Sequence, residues 1–304
     1  MRDDEMLKIV VPASTANLGP GFDSIGLAVA RYLTLEVTLS DEWSFMPCSS
    51  EVASIPRGTD NLIFQVADMV AKRYDKTLPA CAVDVYSEIP LARGLGSSAA
   101  AIVAGIELAN ALADLSLTME EKARIASSFE GHPDNVCASL YGGLVIGSHR
   151  REETNAVHIN DIELDLVVVI PDYQLKTKAS RSVLPDYFSR TDAVAASSVA
   201  NVLVAALLTK NWDLAGKMMD EDLFHQPYRK ALIPELNTVH AFAKEYGAFG
   251  VALSGAGPTV ICFTEPGKGE GLREELTCRL RNYTVDMLSV DRNGSRLYKM
   301  ELEK

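Results

Sequence analysis

The chain has 304 residues, of which 47% are hydrophobic and 23% are charged, a composition that excludes a disordered chain and predicts one large domain or two of ordinary size. Its 29 basic and 41 acidic residues give a formal net charge of −12, which argues against a nucleic-acid partner. The five cysteines are scattered and show no C-x-x-C spacing, so neither a disulfide framework nor a zinc site is indicated. We expect buried thiols in a reducing cytoplasm.

Signals for secretion and for a membrane are weak in this sequence. The N-terminal stretch MRDDEMLKIVV has acidic residues where a secretory signal needs basic ones, and its apolar run is short. Two uncharged stretches, 193–209 and 246–264, approach the length of a membrane span. The first contains two serines and an asparagine, and the second is interrupted by four glycines and a proline. We therefore expect a cytoplasmic protein without a membrane partner.

The first half of the chain contains both the hydrophobic pattern of strands and that of helices. Alternating or β-branched residues indicate strands, and apolar residues at helical spacing indicate helices. The polar segment PASTANLGPGFD is predicted to be a loop, and Thr118 with Glu121 forms a capping-box pattern at a helix start. The elements predicted here are strands over 7–11, 33–39 and 80–86 and helices over 61–74, 98–113 and 119–129.

The second half of the chain begins a new set of strands near residue 165. A wholly apolar run at 166–170, ended by Pro171, is typical of a buried central strand. Strands and helices in two such sets predict two α+β domains, joined by the polar connector REETNAVHINDIE. The other predicted elements are a strand near 140–147, helices within 191–246, a strand pair within 250–263, a helix over 269–281 and an edge strand over 295–302.

The segment EIPLARGLGSSAAA at 88–101 places glycines and serines at the start of an alanine-rich helix. The first backbone N–H groups of a helix have no intrahelical partner and, with the helix dipole, form an anion site. Gly94 and Gly96 permit close approach of the backbone, and the hydroxyls of Ser97 and Ser98 suit phosphate or Mg²⁺. The pattern predicts a phosphate site, with a plain serine cap as the alternative. It is neither a Walker A nor a dinucleotide-binding motif.

Three segments resemble the motifs of the GHMP kinase family and follow the family's order. PASTANLGPGFDSIGLAV resembles the first motif, PLARGLGSSAAA the second and GVALSGAGPTVICF the glycine-rich third. Within the family, EGHPDNV, TKASRSVLP and FHQPYR are similar to segments of the homoserine kinase branch. Agreement of this extent, from residue 12 to residue 263, is not expected by chance.

The resemblance implies an α+β, two-domain GHMP kinase fold. Its N-terminal ATP-binding domain, over 1–163, is expected to resemble domain 2 of ribosomal protein S5, and its C-terminal domain, over 164–304, is expected to be ferredoxin-like. The implied reaction uses ATP with Mg²⁺ to phosphorylate the side-chain hydroxyl of L-homoserine, giving O-phospho-L-homoserine and ADP on the route to threonine. A homodimer with ATP and L-homoserine as its ligands is also implied.

The resemblance also assigns roles to individual residues. ATP contacts fall to Asn61, Pro90, Leu91, Ala92, Arg93, Gly94, Leu95, Gly96, Ser97, Ser98, Ala99 and Ala100. Homoserine contacts fall to Asn17, Asp23, His132, Asn135, Thr177, Arg181 and Arg229. Ser98 and Glu130 are the implied Mg²⁺ ligands, and with Asn135 they form the catalytic set. A zwitterion suits this arrangement, because its ammonium needs a carboxylate (Asp23, beside Asn17) and its carboxylate needs guanidinium groups (Arg181 and Arg229).

Several alternatives stay open at this point. Only Gly131 separates Glu130 from His132, where the family often has several residues, so the metal assignment depends on a shortened motif. Asp134 is the candidate general base by its position, but we favour direct alignment of the hydroxyl with the γ-phosphate and no dedicated base. Asn61 suits a helix cap as well as an adenine contact. The rival functions are a mevalonate or sugar kinase, a non-catalytic nucleotide-binding protein and an RNA-binding module.

Overall fold

The structure, a computed structural model, describes residues 5–301 and contains two β-sheets over that range. The first has seven strands in the order β11-β1-β2-β4-β3, with β5 pairing β2 and β6. Its strands are β1 (Glu5–Ala16), β2 (Ile25–Leu39), β3 (Ser44–Pro47), β4 (Cys81–Ser87), β5 (Leu144–Arg150), β6 (Glu153–Ile159) and β11 (Arg296–Glu301). The β3–β4 pair is parallel and the other pairs of this sheet are antiparallel.

The second sheet has four antiparallel strands in the order β10-β7-β9-β8. Its strands are β7 (Asp165–Ile170), β8 (Gly250–Leu253), β9 (Val260–Thr264) and β10 (Thr284–Ser289). Every residue of β8 and β9 is buried, which explains why both strands appear in the sequence as continuous apolar runs. The turn between these two strands, 254–259, lies at the functional site described below.

Ten α-helices cover these sheets within the described range, together with 3₁₀ turns at Ser50–Val52 and Lys230–Leu232. They are α1 (Leu62–Arg73), α2 (Ser97–Leu112), α3 (Met119–Glu130), α4 (Asp134–Tyr141), α5 (Thr177–Arg181), α6 (Arg190–Leu208), α7 (Trp212–Asp220), α8 (Gln226–Arg229), α9 (Leu236–Glu245) and α10 (Gly269–Arg279). Helix α2 is the most deeply placed, with its residues from Ile102 to Ala109 all buried. The first turn of α2 therefore has a rigid support.

Several predicted elements differ from the observed ones. Strand β1 continues through Ala16, so the first part of PASTANLGPGFD is strand and the loop is shorter than predicted. The predicted connector REETNAVHINDIE contains β6, an edge strand in which no residue is fully buried. Strands β3 and β10 were also missed, because β3 is short and both strands bury few residues. The predicted C-terminal strand is present as β11, and Leu302 lies outside the described residues.

The expectation of buried cysteines is only partly correct. Cys81, Cys137 and Cys262 are buried, whereas Cys48 and Cys278 are exposed, and all of them are free thiols. Burial raises the pKa of each of the three buried thiols to about 12, so they are inert packing groups. The exposed pair points away from the core: Cys48 follows β3, and Cys278 is an exposed residue of α10.

The predicted domain boundary lies between strands of the two sheets. Strands β6 and β7 lie on either side of the predicted boundary at 163/164, and β11 returns from the C-terminus to the first sheet.

Helix α6 is long and apolar enough to span a membrane by length and composition, and 22% of that stretch is buried. One face of α6 packs against the protein, with its buried Leu203, Ala206 and Leu207 in the core cluster.

Candidate functional site

The segments predicted to bind ligand converge on one cavity of about 280 Å³. Six segments form its wall: the loop after β1, the loop and first turn of α2, the α3–α4 junction, helix α5, the end of α8 and the β8–β9 turn. The loop after β1 leaves the first sheet and the β8–β9 turn belongs to the second, so the cavity lies where the two halves of the molecule meet. All seven predicted homoserine contacts line it: Asn17, Asp23, His132, Asn135, Thr177, Arg181 and Arg229.

The first turn of α2 is capped by glycine. Gly96 is the N-cap with a φ of 71°, no side chain caps the helix, and Ser97 and Ser98 are its first two residues. The alternative of a plain serine cap is therefore wrong. Among residues 5–301, the hydroxyls of Ser97 and Ser98 make no hydrogen bond, and both side chains line the cavity. Free N–H groups and two free hydroxyls at a helix start are the donors that an anion needs.

A second, mainly apolar cavity of about 320 Å³ adjoins the first. The two share Ala92, Ser97 and Ser98, so the start of α2 lies between them. Apolar side chains dominate the second cavity, among them Leu33, Val52, Ile55, Leu62, Ile63 and Val85. A flat heterocycle suits such a wall, whereas a charged amino acid suits the first cavity.

Asn61 lies at the edge of the apolar cavity and caps α1. Its Oδ1 accepts a hydrogen bond from the Ile63 N–H at 2.9 Å, and its Nδ2 donates to the Pro56 carbonyl at 2.8 Å. The predicted cap is confirmed. The predicted adenine contact stays a prediction; Asn61 lies in the wall of this cavity.

The predicted ATP contacts at 90–100 divide into two groups. Leu91, Ala92, Gly94, Gly96, Ser97, Ser98 and Ala99 line one or both cavities. Pro90, Arg93, Leu95 and Ala100 line neither. Leu95 and Ala100 are fully buried in the core, and Arg93 donates through Nη2 to the Asp172 carbonyl at 2.6 Å. These side chains support the loop, and any contact they make with a nucleotide would be through their backbone.

Asp23 and Arg181 form a two-point ion pair in the polar cavity. Arg181 donates from Nη2 to Asp23 Oδ1 at 2.6 Å and from Nη1 to Oδ2 at 3.0 Å. Burial disfavours the charged guanidinium, but the hydrogen bonds and charge of Asp23 outweigh burial and raise the pKa of Arg181. The two groups that sequence reasoning assigns to opposite ends of a zwitterion are thus adjacent and charged.

Arg229 is almost completely buried, with 1% of its surface exposed. Its Nε donates to the Ser180 carbonyl at 3.2 Å, and its Nη1 donates to the Gly255 carbonyl at 3.0 Å and to His225 Nδ1 at 3.1 Å. Among residues 5–301, Nη2 has no hydrogen-bond partner. Burial first, and then the charge of Arg181, lowers the pKa of Arg229 to about 10, so it is still a cation at neutral pH.

Asn17 joins two walls of the cavity. Its Nδ2 donates to the Gly255 carbonyl at 3.0 Å, and its Oδ1 accepts from the Asp23 N–H at 3.1 Å. Asn17 and Asp23 both have positive φ, of 73° and 55°, conformations that non-glycine residues adopt rarely. Asn17 therefore fixes the backbone that presents the Asp23 carboxylate.

The α3–α4 junction places Glu130, His132 and Asp134 together. Asp134 Oδ1 lies 2.5 Å from His132 Nδ1 and accepts from the Asn135 N–H at 2.8 Å. Burial lowers the pKa of His132, but its hydrogen bond to Asp134 outweighs burial, so the net shift is upward. Asp134 is 1% exposed, and its carboxylate is already engaged, which favours a positioning role over proton abstraction.

Glu130 has the properties expected of a cation ligand. Its carboxylate makes no hydrogen bond or ion pair with residues 5–301, and burial is the main cause of its raised pKa. A bound divalent cation would compensate that burial, and Ser98 offers a free hydroxyl on the same cavity wall. Ligand atoms of Asp23, His132 and Asp134 also lie within 4.8 Å of one another, but Arg181 and the His132–Asp134 contact already engage them.

Sequence reasoning missed two residues that contact the binding groups, Phe22 and His225. Phe22 lines the polar cavity, and His225 is fully buried beneath it. Their rings stack at 5.4 Å between centroids with an angle of 24°. Both lie in motif segments, GPGFD and FHQPYR, where they are neighbours of charged residues with assigned roles, and that proximity was the available signal.

Family models and curated relatives match this chain. A family model described as GHMP kinases N terminal domain matches residues 61–143, and one described as GHMP kinases C terminal matches residues 203–282. Homoserine kinase of Bacillus licheniformis is 57% identical over 291 residues, which cover 96% of this chain and 95% of that protein. Homoserine kinase of Bacillus velezensis is 53% identical and covers 100% of this chain and 99% of its own.

Solved structures show the same relationship. The crystal structure of homoserine kinase from Cytophaga hutchinsonii has a TM-score of 0.85 at 27% identity and covers 98% of both chains. Mevalonate diphosphate decarboxylase from Staphylococcus aureus has a TM-score of 0.74 at 18% identity over 97% of this chain and 98% of its own, which shows a shared fold.

The burial of His225 predicts that the stability of the folded protein falls at acidic pH. Burial, with the charge of Arg229, lowers the pKa of His225 to about 4 from the ordinary 6.5, against opposing contributions from Asp222, Gly19 and Asp23. Between these two pH values the unfolded chain binds a proton that the folded chain excludes. The stability present above the unfolded pKa is therefore lost as pH falls towards the folded pKa.

Urea unfolding between about pH 7 and about pH 4 tests this. The free energy of unfolding of the wild type should fall more steeply than that of His225→Asn, by up to about 1.4 kcal/mol per pH unit. Equal slopes for the two proteins would show that His225 does not exclude a proton in the folded state.

Proposed function

We propose that this chain, which belongs to the GHMP kinase family, transfers the γ-phosphoryl group of ATP to the side-chain hydroxyl of L-homoserine. The products are O-phospho-L-homoserine and ADP, a step on the route to threonine. The observation that carries the proposal is the pair of adjoining cavities, one apolar and one charged, with the start of α2 between them. Relatives named homoserine kinase that match nearly the whole chain support the choice of substrate.

The nucleotide is proposed to lie across the start of α2. Its adenine enters the apolar cavity beside Asn61, and its phosphates meet the free N–H groups and hydroxyls at Ser97 and Ser98. Glu130 and Ser98 would hold Mg²⁺, which would supply positive charge against the negative charge that develops during transfer. Glu130 suits this role because its carboxylate is partly buried and has no hydrogen-bond or ion-pair partner among the described residues.

Homoserine is proposed to lie in the charged cavity as a zwitterion. Its carboxylate binds Arg229 and Arg181, and its ammonium binds Asp23, so that the substrate's two charges replace the Asp23–Arg181 ion pair. His132, Asn135 and Thr177 surround the hydroxyl end. Alignment of the hydroxyl with the γ-phosphate supplies most of the catalysis, and its proton leaves with the transferred group, because Asp134 is engaged with His132 and the Asn135 N–H.

Three further properties are proposals of the same kind. Division into domains at 1–163 and 164–304 follows the two sheets, apart from β11. A homodimer is supported by the apolar side chains that α6 exposes, with Val194 at 64% and Leu208 at 50% exposure, and light scattering would test it. A cytoplasmic location without a membrane or nucleic-acid partner fits the net charge of −12, and cell fractionation would test it.

A substrate panel tests the proposed reaction. ADP release is measured with ATP and Mg²⁺ in the presence of L-homoserine, mevalonate, a simple sugar or L-threonine. We expect L-homoserine to exceed the other alcohols in kcat/KM by at least about a hundredfold, because they lack either the paired charges or the primary hydroxyl. Turnover of mevalonate or the sugar in place of L-homoserine would favour a sister kinase, and tight ATP binding without any turnover would favour a non-catalytic protein.

Exchange of one carboxylate tests the proposed metal site. Glu130→Gln should lower kcat at least about a hundredfold and raise the Mg²⁺ concentration that gives half-maximal rate, since it removes a charged ligand. Glu120→Gln, at an exposed position of the same helix, is the matched control and should leave both quantities unchanged. An unaltered Mg²⁺ dependence in Glu130→Gln would remove Glu130 from the metal site.

A further inference from the structure

We propose that His225 and Phe22 are positioning residues that hold Arg229 and Arg181 in the geometry required for the substrate carboxylate. The inference rests on the proposed function, because it concerns how the same cavity selects an amino acid. Neither residue touches the reacting atoms, and each acts through a guanidinium group.

His225 is held in one tautomer by its surroundings. The side chain is fully buried, and its Nε2 lies 2.8 Å from the Gly19 carbonyl oxygen, so Nε2 carries the proton and donates it. In a neutral imidazole the other nitrogen is then an acceptor, and Nδ1 lies 3.1 Å from Arg229 Nη1. A protonated ring would present an N–H to the N–H of a guanidinium, which agrees with the lowered pKa of His225.

The neutral ring joins two parts of the carboxylate site. Gly19 belongs to the loop that presents Phe22 and Asp23, and Arg229 is the last residue of α8. With the Ser180 and Gly255 carbonyls, His225 supplies the third acceptor that fixes the plane of the Arg229 guanidinium. The fixed plane matters because carboxylate recognition by arginine is planar and two-pointed.

Phe22 sets the spacing of the two arginines. The Arg181 Cζ lies 5.4 Å from the centroid of the Phe22 ring, and the Arg229 Cζ lies 5.3 Å from it. Two guanidinium groups repel one another, and the ring attracts each of them through its π-electrons. Because His225 stacks on the same ring, the His225 and Phe22 side chains form one support for both cations.

The surrounding charges are consistent with a neutral His225. Asp222 Oδ2 lies 3.4 Å from His225 Nε2, but the Asp222 carboxylate accepts from the backbone N–H groups of residues 224, 225 and 226. That carboxylate therefore caps the turn before α8, and the shorter contact of Nε2 is with the Gly19 carbonyl. Arg229 and, at longer range, Asp23 are the other charged groups that influence the ring.

Two amide substitutions separate the two contacts of the ring. The amide of Gln reaches the position of Nε2, so His225→Gln keeps a donor for Gly19 and loses the acceptor for Arg229. The amide of Asn occupies the position of Nδ1, so His225→Asn keeps the acceptor and loses the donor. We expect His225→Gln to raise the KM for L-homoserine at least about tenfold, with kcat and the KM for ATP within about twofold of the wild type. His225→Asn should give a clearly smaller rise.

A substrate without a carboxylate completes the test. For L-homoserinamide, the His225→Gln and wild-type enzymes should have the same kcat/KM within about twofold, because the carboxylate that Arg229 binds is absent. The proposal for His225 is overturned if Gln and Asn raise the KM equally, or if homoserinamide is affected as much as homoserine. A wild-type enzyme that fails to phosphorylate homoserine overturns the proposed function instead.

Phe22 provides a second variant that avoids a change in the buried histidine. Phe22→Leu keeps the apolar volume and removes the π-electrons, and it should raise the KM for L-homoserine several-fold, whereas Phe22→Tyr should keep the wild-type value. Circular dichroism confirms that both variants are folded. An unchanged KM in Phe22→Leu overturns the role of Phe22.

Discussion

The site depends on direct backbone contact between two loops, the one before α2 and the one between β8 and β9. Ser254 Oγ donates to the Gly94 carbonyl at 2.5 Å, and a Cβ on Gly94 would lie 2.2 Å from the Ser254 carbonyl oxygen. A Cβ on Gly96 would lie 2.2 Å from Ser14 Oγ. No side chain fits at either position, so Gly94 is required for the loop before α2 to meet the β8–β9 turn, and Gly96 is required for that loop to pack against β1.

The same turn organises the charged groups. The Gly255 carbonyl accepts hydrogen bonds from Asn17 Nδ2 and from Arg229 Nη1, which ties the loop after β1 and helix α8 to one peptide unit. A displacement of the turn would therefore move the Asp23 loop, Arg229 and the start of α2 together. Because the reaction depends on aligning a hydroxyl with a phosphate, such a shared support matters more than any single contact.

Much of this arrangement could be predicted from the sequence. The position of α2, the capping box at Thr118 and the paired charges of the polar cavity follow from local patterns and motif resemblance. The GHMP kinase fold implied by that resemblance is confirmed by the family matches and structural neighbours. Edge strand β6 could not be predicted, because it has no buried face to produce an alternating pattern. The burial of Arg229 depends on contacts with residues 180, 225 and 255, which no local pattern reports.

The most direct measurement compares two glycine-to-alanine exchanges that impose similar backbone strain. Gly94 and Gly267 have φ angles of 82° and 83°, but the Cβ of Gly94→Ala would meet the Ser254 backbone, whereas that of Gly267→Ala would meet nothing within 4 Å. If loop contact builds the site, Gly94→Ala should weaken binding of both a non-hydrolysable ATP analogue and L-homoserine at least about tenfold in calorimetric titrations, while Gly267→Ala binds both as the wild type does. Wild-type affinity for both ligands in a folded Gly94→Ala protein would show that contact between the two loops does not build the site.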